Sequence, residues 1–114
     1  MIAQMESDTT SPARQTPRIA IPADGIQAFC VKWRVREFSL FGSVLRDDFG
    51  PASDVDVLVL IDDAAPWSLY DWLDMIDELQ RLFGRKVDLV EKDAIRNPLR
   101  RRAILEGAKV LYAA

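Results

Sequence analysis

Apolar residues recur along this chain with two different spacings, and the spacing changes from segment to segment. Ile26, Phe29, Cys30 and Trp33 fall at i, i+3, i+4 and i+7, one stripe that predicts a helix over 22–34. Phe38 and Leu40 stand one strand period apart, with no breaker from Val35 to Phe41, which predicts a strand that Gly42-Ser43 ends. A short turn or helix over 43–48 and a loop at Gly50-Pro51 follow. Val55 to Ile61 is β-branched and aliphatic throughout and reads as the best strand of the chain. Leu69, Trp72, Leu73, Ile76, Leu79 and Phe83 form the stripe of a long helix over 68–83, with Ser68 placed to cap it and Gly84 to stop it. Lys86 to Val90 predicts a third strand. Asn97-Pro98 opens a helix that Gly107 ends, and 109–112 predicts a last short strand. This order indicates an α+β (α/β-like) domain with helices packed on a sheet. Residues 1–17 are polar and turn-rich and read as a flexible leader, leaving one domain over 18–114.

Composition narrows the chemistry. At 114 residues the chain can bury roughly two-thirds of its unfolded surface, enough for one core. Fifteen Lys+Arg against eighteen Asp+Glu leave a net charge of −3, which gives no electrostatic reason to expect direct nucleic-acid or membrane binding. The absence of histidine excludes a Ser-His-Asp triad, a histidine general base and a histidine-ligated zinc within this chain. The one cysteine, Cys30, can form no internal disulfide, in keeping with a reducing cytoplasm, and sits on an apolar stripe as a small hydrophobe. Met1 to Arg18 has no apolar core and carries Glu6 and Asp8, unlike a signal peptide. The run from Val57 to Ile61 is far too short to span a bilayer.

The chemistry concentrates at two strand starts. Asp54 and Asp56 are two apart, so both carboxylates project from the same face. Like charges held that close repel unless something cationic sits between them, and Mg²⁺ commonly binds through one or two carboxylates plus substrate phosphates. Taken alone, an Asp-x-Asp is more often a solvated strand end. Gly42-Ser43, a short loop upstream, offers close backbone approach, N–H donors and a hydroxyl to a phosphate; taken alone it is an ordinary turn. Arg46 follows about one helical turn later, either a phosphate contact or a surface arginine. Asp88 lies in the next predicted strand and can reach the first two if the strands pair.

The arrangement Gly42-Ser43, a ten-residue gap, then Asp54-x-Asp56 with a later strand aspartate resembles the nucleotidyltransferase superfamily related to DNA polymerase β. Phe41-Gly42-Ser43, Gly84-Arg85-Lys86-Val87-Asp88-Leu89-Val90 and Asn97-Pro98-Leu99-Arg100 are similar to the minimal nucleotidyltransferase (MNT) family, over about residues 20–112. The resemblance implies a nucleotidyltransferase fold, a mixed β-sheet flanked by helices. It implies an antitoxin that transfers AMP from ATP to a tyrosine of a cognate HEPN-domain ribonuclease toxin, and an assembly with that toxin. Under it, Asp54, Asp56 and Asp88 are the catalytic residues and hold one or two Mg²⁺ ions, with Asp88 best placed to help deprotonate the acceptor. Gly42, Ser43 and Arg46 bind the nucleotide. Asp47 departs from the family, which often has glycine after the arginine, and leaves the role of Arg46 open.

The alternative is an antitoxin that neutralises its toxin by binding and occlusion, without catalysis. Transfer onto a small molecule is disfavoured, because 114 residues leave little room for a second substrate domain. Asp48-Phe49-Gly50 matches a kinase motif only by coincidence, with no glycine-rich loop or His-Arg-Asp segment to accompany it. Arg100, Arg101 and Arg102 read as a solvated face, Trp72 as core, and Trp67 as a candidate interface residue.

Overall fold

A computed structural model describes residues 19–46, 49–50 and 52–114. The predicted leader, part of the 43–48 turn and Pro51 lie outside the described residues. In chain order the elements are α1 (Ala23–Trp33), β1 (Val35–Phe41), a 3₁₀ turn (Gly42–Leu45), β2 (Val55–Ile61), α2 (Leu69–Phe83), β3 (Val87–Glu91), a second 3₁₀ turn (Lys92–Ala94), α3 (Pro98–Gly107) and β4 (Lys109–Ala113). The strands form a mixed sheet in the order β3-β2-β1-β4. β1 runs antiparallel to both β2 and β4, while β2 and β3 are parallel. The expected α+β architecture is thus present: a mixed sheet with helices packed on it.

Alternation along the strands gives the sheet two chemically different faces. Phe38 and Leu40 stand opposite Val59 and Val57, and Val55 and Val57 stand beside Val87 and Leu89. These side chains are buried with Ile26, Phe29, Cys30 and Trp33 of α1 and Met75 and Leu79 of α2. Burying each such aliphatic side chain contributes about 1.5–3 kcal/mol, so this face holds the domain together. α1 and α2 approach closely at Gly25, where a Cβ would sit 2.4 Å from Leu82 Cδ1. The other face carries Ser39, Phe41, Asp56, Leu58, Asp88 and Val90, in register across β1, β2 and β3.

The helix ends follow their sequence signals. The Ser68 side chain accepts from the Asp71 amide and the Asp71 carboxylate accepts from the Ser68 amide, a capping box. Gly84 takes φ 71° just past α2, and the Asn97 carboxamide accepts from the Leu99 and Arg100 amides at the start of α3.

Two expectations need correction. Leu69 and Leu73 are not core: they are 70% and 52% exposed, because α2 turns Trp72, Met75, Ile76, Leu79, Leu82 and Phe83 towards the sheet and the other two lie round the edge of that face. Trp67, the candidate interface residue, is half-buried against α1. Its indole N–H donates to the Trp33 carbonyl at 2.7 Å and its ring meets Trp33 edge-on at 5.1 Å, closing the β2–α2 loop over the end of α1. The basic run divides: Arg100 and Arg102 are exposed, whereas Arg101 Nη1 donates to the Lys92 carbonyl at 2.6 Å and ties α3 to the end of β3.

Candidate active site

The site forms where β1 ends and β2 and β3 begin. Parallel pairing puts Asp56 directly beside Asp88, and Phe41 faces Asp56 from β1. One row of side chains, Phe41–Asp56–Asp88, therefore crosses three strands on the same face. Asp54 precedes Asp56 by one strand period, just outside β2. Asp54 and Asp88 are exposed and Asp56 is half-buried.

Asp56 feels the whole arrangement. Its carboxyl is pushed above the ordinary value of 3.8, first by burial, then by the negative charges of Asp88 and Asp54. The Ser43 backbone N–H, which donates to the Asp56 carboxylate, and the charge of Arg46 pull the other way. Asp88 and Asp54 thus both lie within electrostatic reach of Asp56, which stands against the Gly42 turn. Among the described residues, Arg46 at the rim supplies cationic compensation to Asp56, and the net shift stays upward.

Gly42 is required by geometry. It adopts φ 77°, a left-handed conformation, and a Cβ there would lie 2.2 Å from Asp56 Oδ2. Only a glycine lets the turn press against the carboxylate so that the next amide, Ser43, can donate to it. The structure places Asp56 beside Asp88 and against Gly42 and the Ser43 amide, with Asp54 near enough to act on it electrostatically. Arg46 is exposed just beyond the 3₁₀ turn. Asp47, the departure from the family pattern, lies outside the described residues.

Among the described residues, no group of three or more acidic or cysteine side chains is placed to hold a metal ion, so the expected Asp54, Asp56 and Asp88 metal triad is not assembled as such. An open set of carboxylates suits Mg²⁺, which retains waters and takes further oxygens from substrate phosphates. The donor chemistry therefore fits that ion: hard oxygen ligands, neighbouring negative charges, and a half-buried carboxyl whose ionised form a cation would favour.

A residue with no sequence-level role also supports the site. Arg85 Nη1 donates to the carbonyls of Gly50 and Ser53, at 3.2 and 3.1 Å, and its guanidinium lies 4.5 Å over the Phe49 ring. The Val55 amide donates to the Lys86 carbonyl at 2.9 Å. Arg85 thus staples the loop that delivers Asp54 to the first residues of the β2–β3 ladder. No local pattern announces this, because Arg85 and Ser53 are joined only by the fold.

A family model described as "Nucleotidyltransferase domain" matches residues 24–111. The protein adenylyltransferase MntA of Thermococcus cleftensis is 32% identical over 75 residues, 66% of this chain and 74% of the relative. A crystal structure of a toxin–antitoxin with AMP-PNP superposes with a TM-score of 0.65 at 20% identity, covering 82% of this chain and 75% of that one. A complex of tri-AMPylated Shewanella oneidensis HEPN toxin with its MNT antitoxin superposes with a TM-score of 0.58 at 20% identity, covering 81% and 70%. These structures share the fold of β1–β4 and their helices. With Asp56 set between Asp88 and the glycine–serine turn and the match spanning nearly the whole described fold, the chain belongs to the nucleotidyltransferase domain family.

Proposed function

We propose that this protein is a Mg²⁺-dependent adenylyltransferase that moves AMP from ATP to a hydroxyl of a cognate HEPN-type toxin, a tyrosine by preference, and so acts as a cytoplasmic antitoxin. The observation that carries this reading is the convergence of Asp54, Asp56 and Asp88 beside the Gly42–Ser43 turn. The relative named as an adenylyltransferase and the neighbouring toxin complexes support the choice of donor and partner.

Asp54, Asp56 and Asp88 would hold the metal, whose positive charge would offset the charge that develops on the phosphate oxygens. The Gly42–Ser43 turn binds the triphosphate: glycine permits close approach, and the Ser43 hydroxyl donates to a phosphate oxygen. Arg46, at the rim, screens charge on the departing pyrophosphate. The acceptor oxygen forms a bond to the α-phosphorus as the bond to the pyrophosphate oxygen breaks. Asp88 lies at the outer end of the carboxylate row and is exposed, so it is the group that meets the incoming hydroxyl and takes its proton. Arg85 acts on none of these atoms; it holds the Asp54 loop in place.

The test is mass spectrometry of the cognate toxin after incubation with this protein, ATP and Mg²⁺. The expected result is a mass gain of whole AMP units that requires both Mg²⁺ and intact Asp54 and Asp56. An unmodified toxin that is nevertheless neutralised would replace this reading with occlusion.

A further inference from the structure

Among the described residues β3 is an edge strand, with β2 on its inner side. Each residue of a strand turns its N–H and C=O to one side, and the next residue turns its own to the other. The Val55 N–H donates to the Lys86 carbonyl at 2.9 Å, so Lys86 faces β2 and Val87 faces away from it. The Val87 N–H therefore points off the edge of the sheet, one residue before Asp88. An edge amide of this kind ordinarily goes to water or to another strand. Here α2 takes it: Gln80 Oε1 accepts from the Val87 N–H at 3.2 Å.

Gln80 is built to hold this strand start. Its side chain is half-buried on the last turn of α2, and its main-chain carbonyl accepts from the Gly84 N–H at 2.8 Å. One residue thus closes the helix and reaches across the connection to β3. The first residues of β3 are gripped from both sides, by β2 through Lys86 and by α2 through Val87. Asp88 comes next. Its side chain is exposed, so packing does not fix it, and its place beside Asp56 is set by its backbone. The bond from Gln80 is separate from those of Arg85, which reach back to Gly50 and Ser53 and hold the Asp54 loop. A shift of about 1 Å in a reacting group can cost about a hundredfold in rate, so a contact one residue away from Asp88 has leverage on it.

We propose that Gln80 is a positioning residue of the transfer centre, holding the free edge of β3 so that Asp88 meets the acceptor hydroxyl. This rests on the transfer reading given above; Gln80 itself touches no reacting atom. Gln80→Leu and Gln80→Ala remove the acceptor oxygen, with and without comparable bulk, and Gln80→Glu keeps an acceptor at the same reach. Two measurements are made on the full chain: steady-state transfer of labelled AMP from ATP to the cognate toxin in excess Mg²⁺, and amide hydrogen exchange by NMR without substrates. In the leucine and alanine variants kcat is expected to fall at least about tenfold with KM for ATP within about twofold, whereas the glutamate variant stays within about threefold of wild type on both. Exchange at the Val87 amide should quicken at least about tenfold in the leucine and alanine variants and not in the glutamate variant. Exchange at Val57, in the middle of β2, should stay within about twofold and reports that the fold is kept; whichever acceptor-free variant keeps it decides the matter. Wild-type kcat in that variant, a loss confined to KM, a glutamate variant as impaired as the leucine one, or Val87 exchange that ignores the substitution would each overturn the proposal and leave the transfer reading standing. Wild-type protein that transfers no AMP overturns the transfer reading, and this one with it.

Discussion

Asp56→Asn should stabilise the metal-free protein while destroying its activity. Asp56 stands beside Asp88 on adjacent parallel strands, which are about 4.8 Å apart. Two unit charges roughly 5 Å apart repel by about 3 kcal/mol at an effective dielectric of 20 and by under about 1 kcal/mol in bulk water. Asp88 is exposed and Asp56 half-buried, so the solvent-screened end applies, about 1 kcal/mol. Asparagine keeps the shape of the side chain and an oxygen for the Ser43 amide, and removes both the repulsion and the cost of burying charge. A gain of about 1 kcal/mol corresponds to a rise in Tm of about 4–8 °C for a domain of this size.

The pH dependence has a definite sign. The folded-state pKa of Asp56 is raised above 3.8, so between 3.8 and the raised value the folded protein binds more protons than the unfolded chain. Stability of the wild type therefore rises as pH falls through that interval, and the penalty is present in full above it. Thermal melts in a chelating buffer at pH 7 should show the variant ahead, and the margin should shrink as pH falls towards 3.8. Excess Mg²⁺ should raise the Tm of wild type more than that of the variant. A variant that melts below wild type without metal at pH 7, or a margin that ignores pH, would refute the electrostatic reasoning.

Other consequences follow from single contacts. Gly42→Ala places a methyl group 2.2 Å from Asp56 Oδ2 and forces a left-handed alanine, itself worth about 1–2 kcal/mol; thermal melting should show at least that loss, and labelled-nucleotide binding should fall with it. Arg85→Ala removes two carbonyl contacts and a ring contact, so denaturant unfolding should show a loss of about 1–3 kcal/mol. Because the same loop carries Asp54, transfer assays on the folded fraction should show a lower kcat for Arg85→Ala, partly restored in Arg85→Lys. Cys30 is buried and its thiol is pushed up to about 12 by that burial, so alkylation at pH 8 should be negligible in the native protein and rapid in denaturant.

The elements were readable because their signals are local. The β-branched run at Val55–Ile61, the Ser68 and Asn97 caps and the stop at Gly84 each act within a few residues, and every such element formed. The Asp54–Asp56 pair was legible as two carboxylates two residues apart at a strand start, and Asp54, just outside β2, acts on Asp56 electrostatically. What local pattern could not supply was partnership. Asp88 becomes a neighbour of Asp56 only through parallel pairing of β2 with β3, a crossover that spans α2. Arg85 finds Gly50 and Ser53 by the same route. The apolar periodicity of α2 fits more than one face, so it included Leu69 and Leu73 although the sheet takes the face centred on Met75 and Leu79.

The central claim is that Asp54, Asp56 and Asp88 work as one centre. It is tested most directly by the rate at which label on the α-phosphate of ATP passes to the cognate toxin, measured for each Asp→Ala variant and for the pairs. Groups that act as a unit lose nearly everything at the first removal, so each single variant should fall by at least about a hundredfold and the pairs little further. Full activity in Asp88→Ala, or losses that multiply from variant to variant, would contradict a shared centre.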